Sequence, residues 1–284
     1  MDRSHLTRPP DPRNVLPGSI TVRGGMGLGD ALYVQAVARH WIKQGRKVTV
    51  CNPWPQVFKP LTDTGNCAVL PFTRLGVEKV AHYSQRKHRE TDQFQDVCIT
   101  AGVKGPVDLR LDWTCLNRPL VEGLRQRAGT RPVVLVQMPR APMGRKDGFG
   151  AEILPRREAL QRSVDNARDA GAYLVQIGAG AAVYPLTGLH EDLGNKTSVY
   201  DLLDLGQACD EVLGYCSYLI PLAESFDKPG LLVWAQAGLK AKSDYVRRIT
   251  PQKVIHKKHI LSWVMDSDTY PQRTIKSPYA AMHS

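Results

Sequence analysis

A carboxylate stands at the end of a glycine-rich turn, Gly24-Gly25-Met26-Gly27-Leu28-Gly29-Asp30. The apolar run Ser19-Ile20-Thr21-Val22 leads into it, and a helix-like segment, ALYVQAVARHWIKQG, leaves it. An acid so placed can accept a proton from a hydroxyl, and glycines beside it allow close backbone approach and positive φ. Two phosphate-binding readings of the turn fail. A dinucleotide fingerprint needs glycines at relative positions 1, 3 and 6; counted from Gly25 the sixth position is Asp30, and counted from Gly24 the third is Met26. A P-loop fits the spacing of Gly24 and Gly29, but Asp30 occupies the lysine position and reverses the required charge. What is left is a strand-to-helix turn presenting a carboxylate, either as a cap alone or as a cap that also reaches a ligand. Helix N–H groups there would favour the charged form and lower the pKa of Asp30.

The other chemistry-bearing residues are mostly cations. Arg140, Arg145 and Lys146 fall in one loop, QMPRAPMGRKDG, behind the apolar run VVLV, and Lys196 lies just before a helix start at Ser198. Cations grouped at strand ends and helix N-termini suit an anionic ligand. The chain carries 38 Lys+Arg against 27 Asp+Glu, a net charge of +11. Arg74, Lys79, Arg86, Lys87 and Arg89 crowd one segment with His82 and His88 between them, and a second basic segment runs from Lys240 to Lys258. Such a field attracts an anionic partner: nucleic acid, lipid headgroup or nucleotide. No metal-ligand spacing appears among the eight histidines; His256 and His259 read as a solvated, lysine-rich face. Glu191 and Asp192 are adjacent acids, which usually point apart, and are not taken as a catalytic pair.

These groups need strand ends and helix starts to hold them. Strand-like runs lie at 19–22, 47–51, 67–70, 96–100, 133–136, 172–177, 212–213 and 231–235. Val34, Val37, Ala38, Trp41 and Ile42 follow a helical period that Gly45 stops; a second helix spans Arg157 to Ala170 before Gly171. A third opens at Ser198-x-x-Asp201, a capping-box-like start. Continuous apolar strands alternating with helices predict an α/β chain with parallel sheets covered on both faces. A composition shift near residue 130 divides it into an N-terminal arm (1–18), a first lobe (19–130), a second lobe (131–250) and a basic tail (251–284) able to pack on the first lobe. No apolar run approaches the ~18 residues of a membrane span, and the proline-rich N-terminus lacks an apolar signal core. Six scattered cysteines without a C-x-x-C pair fit a reduced, cytoplasmic protein.

SITVRGGMGLGDALYVQAVARHWIKQGRKVTV resembles the first βαβ unit of the ADP-heptose–lipopolysaccharide heptosyltransferases, glycosyltransferases of the GT-B fold, whose glycine turn also ends in Gly-Asp. LGNKTSVYDLLDLGQACDEVLGYCSYLIPLAESFDKPGLLVWA resembles a second segment of the same family, with Asn195-Lys196-Thr197-Ser198 at the helix start and Lys228-Pro229 before the last strand. About half of the chain is covered. The resemblance implies two Rossmann-like lobes around a cleft, Asp30 as general base in an inverting displacement, and a nucleotide-sugar donor whose departing diphosphate is met by cations without a metal or other cofactor. One loop departs from the pattern: where the family has a word close to Gly-Asn-Asp-Ser-Gly-x-x-His, this chain has Gly214-Tyr215-Cys216-Ser217-Tyr218-Leu219-Ile220-Pro221. Ser217 survives, Cys216 replaces the acid, and Pro221 replaces the histidine and is placed at the first position of the following helix. Glu224 is the candidate for a ribose hydroxyl.

The expected function is sugar transfer to a hydroxyl on an anionic acceptor. A hydroxymethylated base in DNA is slightly favoured over a lipopolysaccharide-type oligosaccharide, with the basic segments on the phosphate backbone. A non-catalytic nucleotide- or nucleic-acid-binding protein that keeps the GT-B shell is the alternative.

Overall fold

A strand that is apolar on both faces needs cover on both, and the order of the strands decides where their carboxyl ends open. In the computed structural model, which describes residues 9, 11–83, 91–140, 153–239 and 249–267, the apolar runs form two all-parallel sheets. The first has the order β3-β2-β1-β4 and contains β1 (Ile20–Arg23), β2 (Val48–Cys51), β3 (Cys67–Leu70) and β4 (Lys79–Val80). The second contains β5 (Val133–Gln137), β6 (Tyr173–Ile177), β7 (Glu191–Asp192), β8 (Glu211–Gly214), β9 (Gly230–Trp234) and β10 (Leu261–Met265). Its order, β10-β9-β8-β5-β6-β7, is the doubly wound one, with the switch in direction between β5 and β8.

Among the described residues the α-helices are α1 (Leu28–Lys43), α2 (Lys59–Thr62), α3 (Gln93–Ala101), α4 (Arg118–Ala128), α5 (Arg157–Asp169), α6 (Val199–Ala208), α7 (Leu219–Ser225), α8 (Gln236–Leu239) and α9 (Pro251–Val254). Gly45 at φ 78° ends the α1 region, donating its N–H to the Ile42 carbonyl. Ser198 and Asp201 form a reciprocal capping box on α6. Along β5 the side chains alternate between two cores. Val133 and Leu135 join a cluster that runs through both lobes, from Val22 and Val37 to Leu222. Val134 and Val136 pack with Leu160 and Val164 of α5.

Three expectations are corrected. Residues 96–100, read as a strand, lie in α3, because Asp92 and Gln95 form a reciprocal capping box and Gly102 closes the helix at φ 75°. Pro221 is not the first residue of its helix but the third residue of α7. His256 is no solvated residue: its Nδ1 lies 2.9 Å from Asp92 Oδ2 and its ring meets Phe94 edge-on at 5.0 Å. The stretch beyond residue 250 crosses to the first lobe, where Lys253 Nζ donates to the Thr91 carbonyl at 2.9 Å, and returns to supply β10, the edge strand of the second sheet.

Polar side chains tie the lobes as well. Asp204 of α6, fully buried, accepts from Trp113 Nε1 (2.6 Å) and from the backbone N–H groups of Leu116 (3.0 Å) and Asn117 (2.7 Å). Buried Arg39 anchors α1 to Asp112 at 3.0 Å and to the Asp108 carbonyl at 2.7 Å.

Candidate active site at the seam of the two lobes

The glycine turn leaves β1 at its carboxyl end and enters α1, whose N-cap is Gly27. None of Gly24, Gly25, Gly27 or Gly29 has a positive φ, so the expected need for left-handed backbone is not what selects glycine here. Close approach is. A Cβ on Gly24 would lie 2.2 Å from Val34 Cγ2, inside the packing of α1 on β1. On Gly25 it would lie 2.1 Å from Asp30 Oδ2, and on Gly27 3.1 Å from the same oxygen. On Gly29 it would press on the other lobe, 3.0 Å from Pro221 Cγ and 3.3 Å from the Tyr218 Cα. The glycines thus seat one carboxylate in the turn and bring the start of α1 against the start of α7.

Asp30 is the third residue of α1, and its Oδ2 accepts the Gly27 N–H at 3.0 Å. Its pKa moves opposite to the expected direction. Burial raises it above the ordinary aspartate value, outweighing the lowering by the Gly27 N–H and by the charge of His82. A carboxylate that holds a proton more readily is a better general base as long as it remains ionised at the working pH. Gly25→Ala is expected to displace this carboxylate while leaving the fold in place, so the variant should lose activity and keep an unchanged circular dichroism spectrum; full activity would contradict the tight seat.

Across the seam, the loop after β8 lies at the switch between β5 and β8. Ser217 Oγ is hydrogen-bonded to Gln137 Oε1 and accepts the Leu219 N–H at 3.0 Å, so its hydroxyl shapes the loop. Cys216 does not replace the family's acid electrically: burial pushes its thiol up to about 12, and it stays neutral. Arg140 follows β5; its backbone N–H meets the Tyr215 hydroxyl at 2.8 Å and its guanidinium reaches the Ala179 carbonyl. Lys196 Nζ donates to the Asp192 carbonyl at 2.7 Å. Glu224 does not face a ligand. It is fully buried, its Oε1 accepts the N–H groups of His256 (2.6 Å) and Lys257 (2.8 Å), and its Oε2 has no partner among the described residues. It holds the returning chain, because α7 turns this face inward against the first lobe. Arg145 and Lys146 lie outside the described residues.

Beside Arg140, a cavity of about 540 Å³ opens at the ends of β5 and β6, with Met138, Gln176, Leu186, Leu189, Asp192 and Asn195 among its lining residues. Asp192 Oδ1 accepts from Gln176 Nε2 (2.9 Å) and from the Gly194 N–H (2.8 Å). Glu191, its neighbour, turns away to Arg127 and the Tyr173 hydroxyl. A slot lined by both polar and apolar groups, with an oriented carboxylate at its edge, suits a nucleoside. The sequence offers Asp192 only as half of an adjacent acid pair expected to point apart, and the two carboxylates do point apart; β7, two residues long, shows no period that would mark its place beside the cavity.

On the first-lobe side, Arg74 is exposed and its charge, after burial, lowers the pKa of Arg23 at the end of β1. Arg23 went unnoticed in the sequence, its only signal being its place just before the glycine turn; its buried Nε has no partner among the described residues. Lys79 sits on edge strand β4 with its Nζ beside Gly102. Arg86, Lys87 and Arg89 lie outside the described residues.

No family model matches the sequence, and no curated protein matches it. Solved structures do. The E. coli ADP-heptose lipopolysaccharide heptosyltransferase II aligns at 13% identity and TM-score 0.53 over 87% of this chain and 90% of that one. A glycosyltransferase of family 9 from Veillonella parvula aligns at 12% identity and TM-score 0.59 over 90% of both chains. The dodecameric iron-containing heptosyltransferase TibC, solved with ADP-D-beta-D-heptose, aligns at 13% identity and TM-score 0.50 over 78% of this chain and 59% of its own. The chain is therefore GT-B in fold, and the resemblance to the heptosyltransferases holds at the level of architecture.

Proposed function

We propose that the chain is a glycosyltransferase that moves a sugar from a nucleotide-sugar to a hydroxyl on an anionic acceptor. The observation that carries this reading is the seam itself: Asp30 at the strand ends of one sheet and the loop at the switch point of the other meet through Gly29, Tyr218 and Pro221. Asp30 accepts the acceptor's hydroxyl proton while the acceptor oxygen attacks the anomeric carbon. The bond from that carbon to the diphosphate breaks on the opposite face, which inverts the centre. The departing charge is met by Arg140 and Lys196 and by the loop that carries Arg145 and Lys146, without a metal. The nucleoside lies in the cavity, where Asp192 has an oxygen left for a ribose hydroxyl.

The first test is thermal stabilisation by a panel of nucleoside diphosphates and their sugars, beginning with ADP-sugars because the similar TibC was solved with one. A ligand at 100 times its Kd adds about 2.7 kcal/mol. Asp192→Ala is expected to weaken the responding nucleotide about tenfold, or about 1.4 kcal/mol, without unfolding the chain. Unaltered affinity would take the ribose away from Asp192.

For the acceptor, the basic balance of the chain inclines the reading slightly toward a hydroxymethylated base in DNA, flipped from the stack to reach Asp30, over a lipopolysaccharide-type oligosaccharide. Product mass after incubation with each acceptor separates them. A nucleotide-binding protein without transfer activity is the second reading, favoured by the neutral thiol of Cys216 and the inward-turned Glu224. Nucleotide binding with no product from any acceptor would select it.

A further inference from the structure

We infer that Asn195 is a positioning residue for the donor's diphosphate: it braces the segment from Gly178 to Gly180 as a shelf that aims the Arg140 guanidinium beside the second-lobe cavity. The ligand in this statement rests on the transferase reading above; the arrangement of the side chains does not.

A long arginine side chain in a loop binds an anion well only if its fork is held in place beforehand. Arg140 is held at both ends. Its backbone N–H donates to the hydroxyl of buried Tyr215 at 2.8 Å, and its guanidinium donates to the Ala179 carbonyl. The planar group rests on Gly180, where a Cβ would stand 2.8 Å from Arg140 Nε and 2.9 Å from its Cζ. A Cβ on Gly178 would likewise stand 3.0 Å from Met138 Cβ, so the whole segment after β6 lies against the chain that leaves β5. Gly178 and Gly180 adopt φ of 142° and 100°. Glycine permits that backbone but lends it no stiffness, so the shelf needs a brace.

Asn195 supplies it. Its backbone N–H donates to the Gly178 carbonyl at 2.8 Å. Its side-chain amide pairs with Gly180 in both directions: Oδ1 accepts the Gly180 N–H, and Nδ2 donates to the Gly180 carbonyl at 3.0 Å. Both ends of the segment under the guanidinium are thereby fixed to one residue. Asn195 is itself held at φ 61°, one of two non-glycine residues with positive φ among the described residues. Asparagine tolerates that conformation and carries both a donor and an acceptor; aspartate would keep only the acceptor, and glycine neither. Strain of this kind persists only where the surroundings hold it, and here they hold it against the shelf. Lys196, next in the chain, folds back to place its Nζ on the Asp192 carbonyl at 2.7 Å. The turn at Asn195 thus bears on both described cations assigned to the departing diphosphate.

The test uses the full chain. Asn195→Gly removes the amide yet accepts the left-handed backbone without strain, so the fold is kept. Nitrogen-15 spectra of the arginine Nε–H groups read the shelf without any ligand, the Arg140 signal being assigned by its loss in Arg140→Lys. Arg140 should give a rigid, slowly exchanging signal in the unaltered protein and a mobile, rapidly exchanging one in Asn195→Gly. The same signal in both overturns the positioning. Calorimetry with ADP, UDP and inorganic pyrophosphate then reads the ligand. Asn195→Gly should weaken the one that binds about tenfold, as should Gly180→Ala, whose methyl would press on the guanidinium. Asn195→Gly combined with Arg140→Ala should bind it no more weakly than Arg140→Ala alone, because residues acting through one group are not additive. Unchanged affinity in Asn195→Gly, or losses that add in the double variant, overturn the inference. If none of the three binds the unaltered protein, the donor reading fails and the diphosphate role with it, while the Arg140 signal still decides whether Asn195 holds the guanidinium.

Discussion

Asp30→Asn is expected to lower kcat by about 10²- to 10⁴-fold, the usual contribution of a positioned general base, while nucleotide binding stays intact. The substitution isolates proton acceptance. An asparagine at the third position of α1 still offers its amide oxygen to the Gly27 N–H, which Asp30 now holds at 3.0 Å, so the turn and the helix start are kept. It occupies nearly the same volume in the seat left by Gly25 and Gly27. What it cannot do is take a proton. Because burial raises the pKa of Asp30, a neutral amide there should leave thermal stability at neutral pH unchanged or slightly higher. The same shift means that activity should fall, as the pH is lowered, at a point above the ordinary aspartate value. Single-turnover rates and a thermal melt on the one variant check both halves. Transfer at the unaltered rate would remove Asp30 from the base role.

The second large effect concerns stability. Glu224, fully buried, has its pKa pushed up by burial to about 7, while its Oε1 takes the backbone N–H groups of His256 and Lys257. A carboxyl whose folded pKa exceeds its unfolded value of 4.5 contributes stability that is complete below pH 4.5 and is lost as pH rises to about 7. The difference corresponds to about 3 kcal/mol. His256 adds to the effect with the same sign: its pKa is raised by its bond to Asp92 despite burial, so its contribution too is present below 6.5 and is lost as pH rises through the folded value. The clasp between α7, the returning chain and the start of α3 is therefore tightest in mild acid and weakens above neutrality. Glu224→Gln keeps an oxygen for the two N–H groups and abolishes the ionisation. Its melting temperature should match the parent at pH 5 and exceed it by several degrees at pH 8. Parallel melting curves for the two proteins across that range would show that Glu224 ionises alike in the folded and unfolded states and would overturn the raised pKa.

Much of the architecture was legible before any coordinates. Buried parallel strands are short continuous apolar runs, so VVLV and AYLVQI announced β5 and β6, and Gly45 and Gly171 marked helix ends because both adopt positive φ. The errors have local causes. DVCIT carries strand-forming residues, yet Asp92, Gln95 and Gly102 supply both caps of a helix, and satisfied end groups outweighed propensity. Strands β4 and β7 are two residues each, too short to show a period, and β10 follows a basic stretch that looked like a tail.

At the site the division is sharper. The sequence alone determined that a carboxylate would stand at a glycine turn between a strand and a helix, since the chemistry and spacing of GGMGLGD exclude a phosphate cradle. Only the tertiary structure decided what surrounds that carboxylate. The start of α7 presses on Gly29, and desolvation of Asp30 in the folded turn reverses the pKa direction expected from the helix N-terminus. The same contact turns Glu224 inward to hold the chain at His256, and leaves Asp192, on a strand too short to recognise, at the edge of the second-lobe cavity. Helix-end effects act within one turn and can be read along the chain, whereas desolvation depends on which distant segments come to lie against a group.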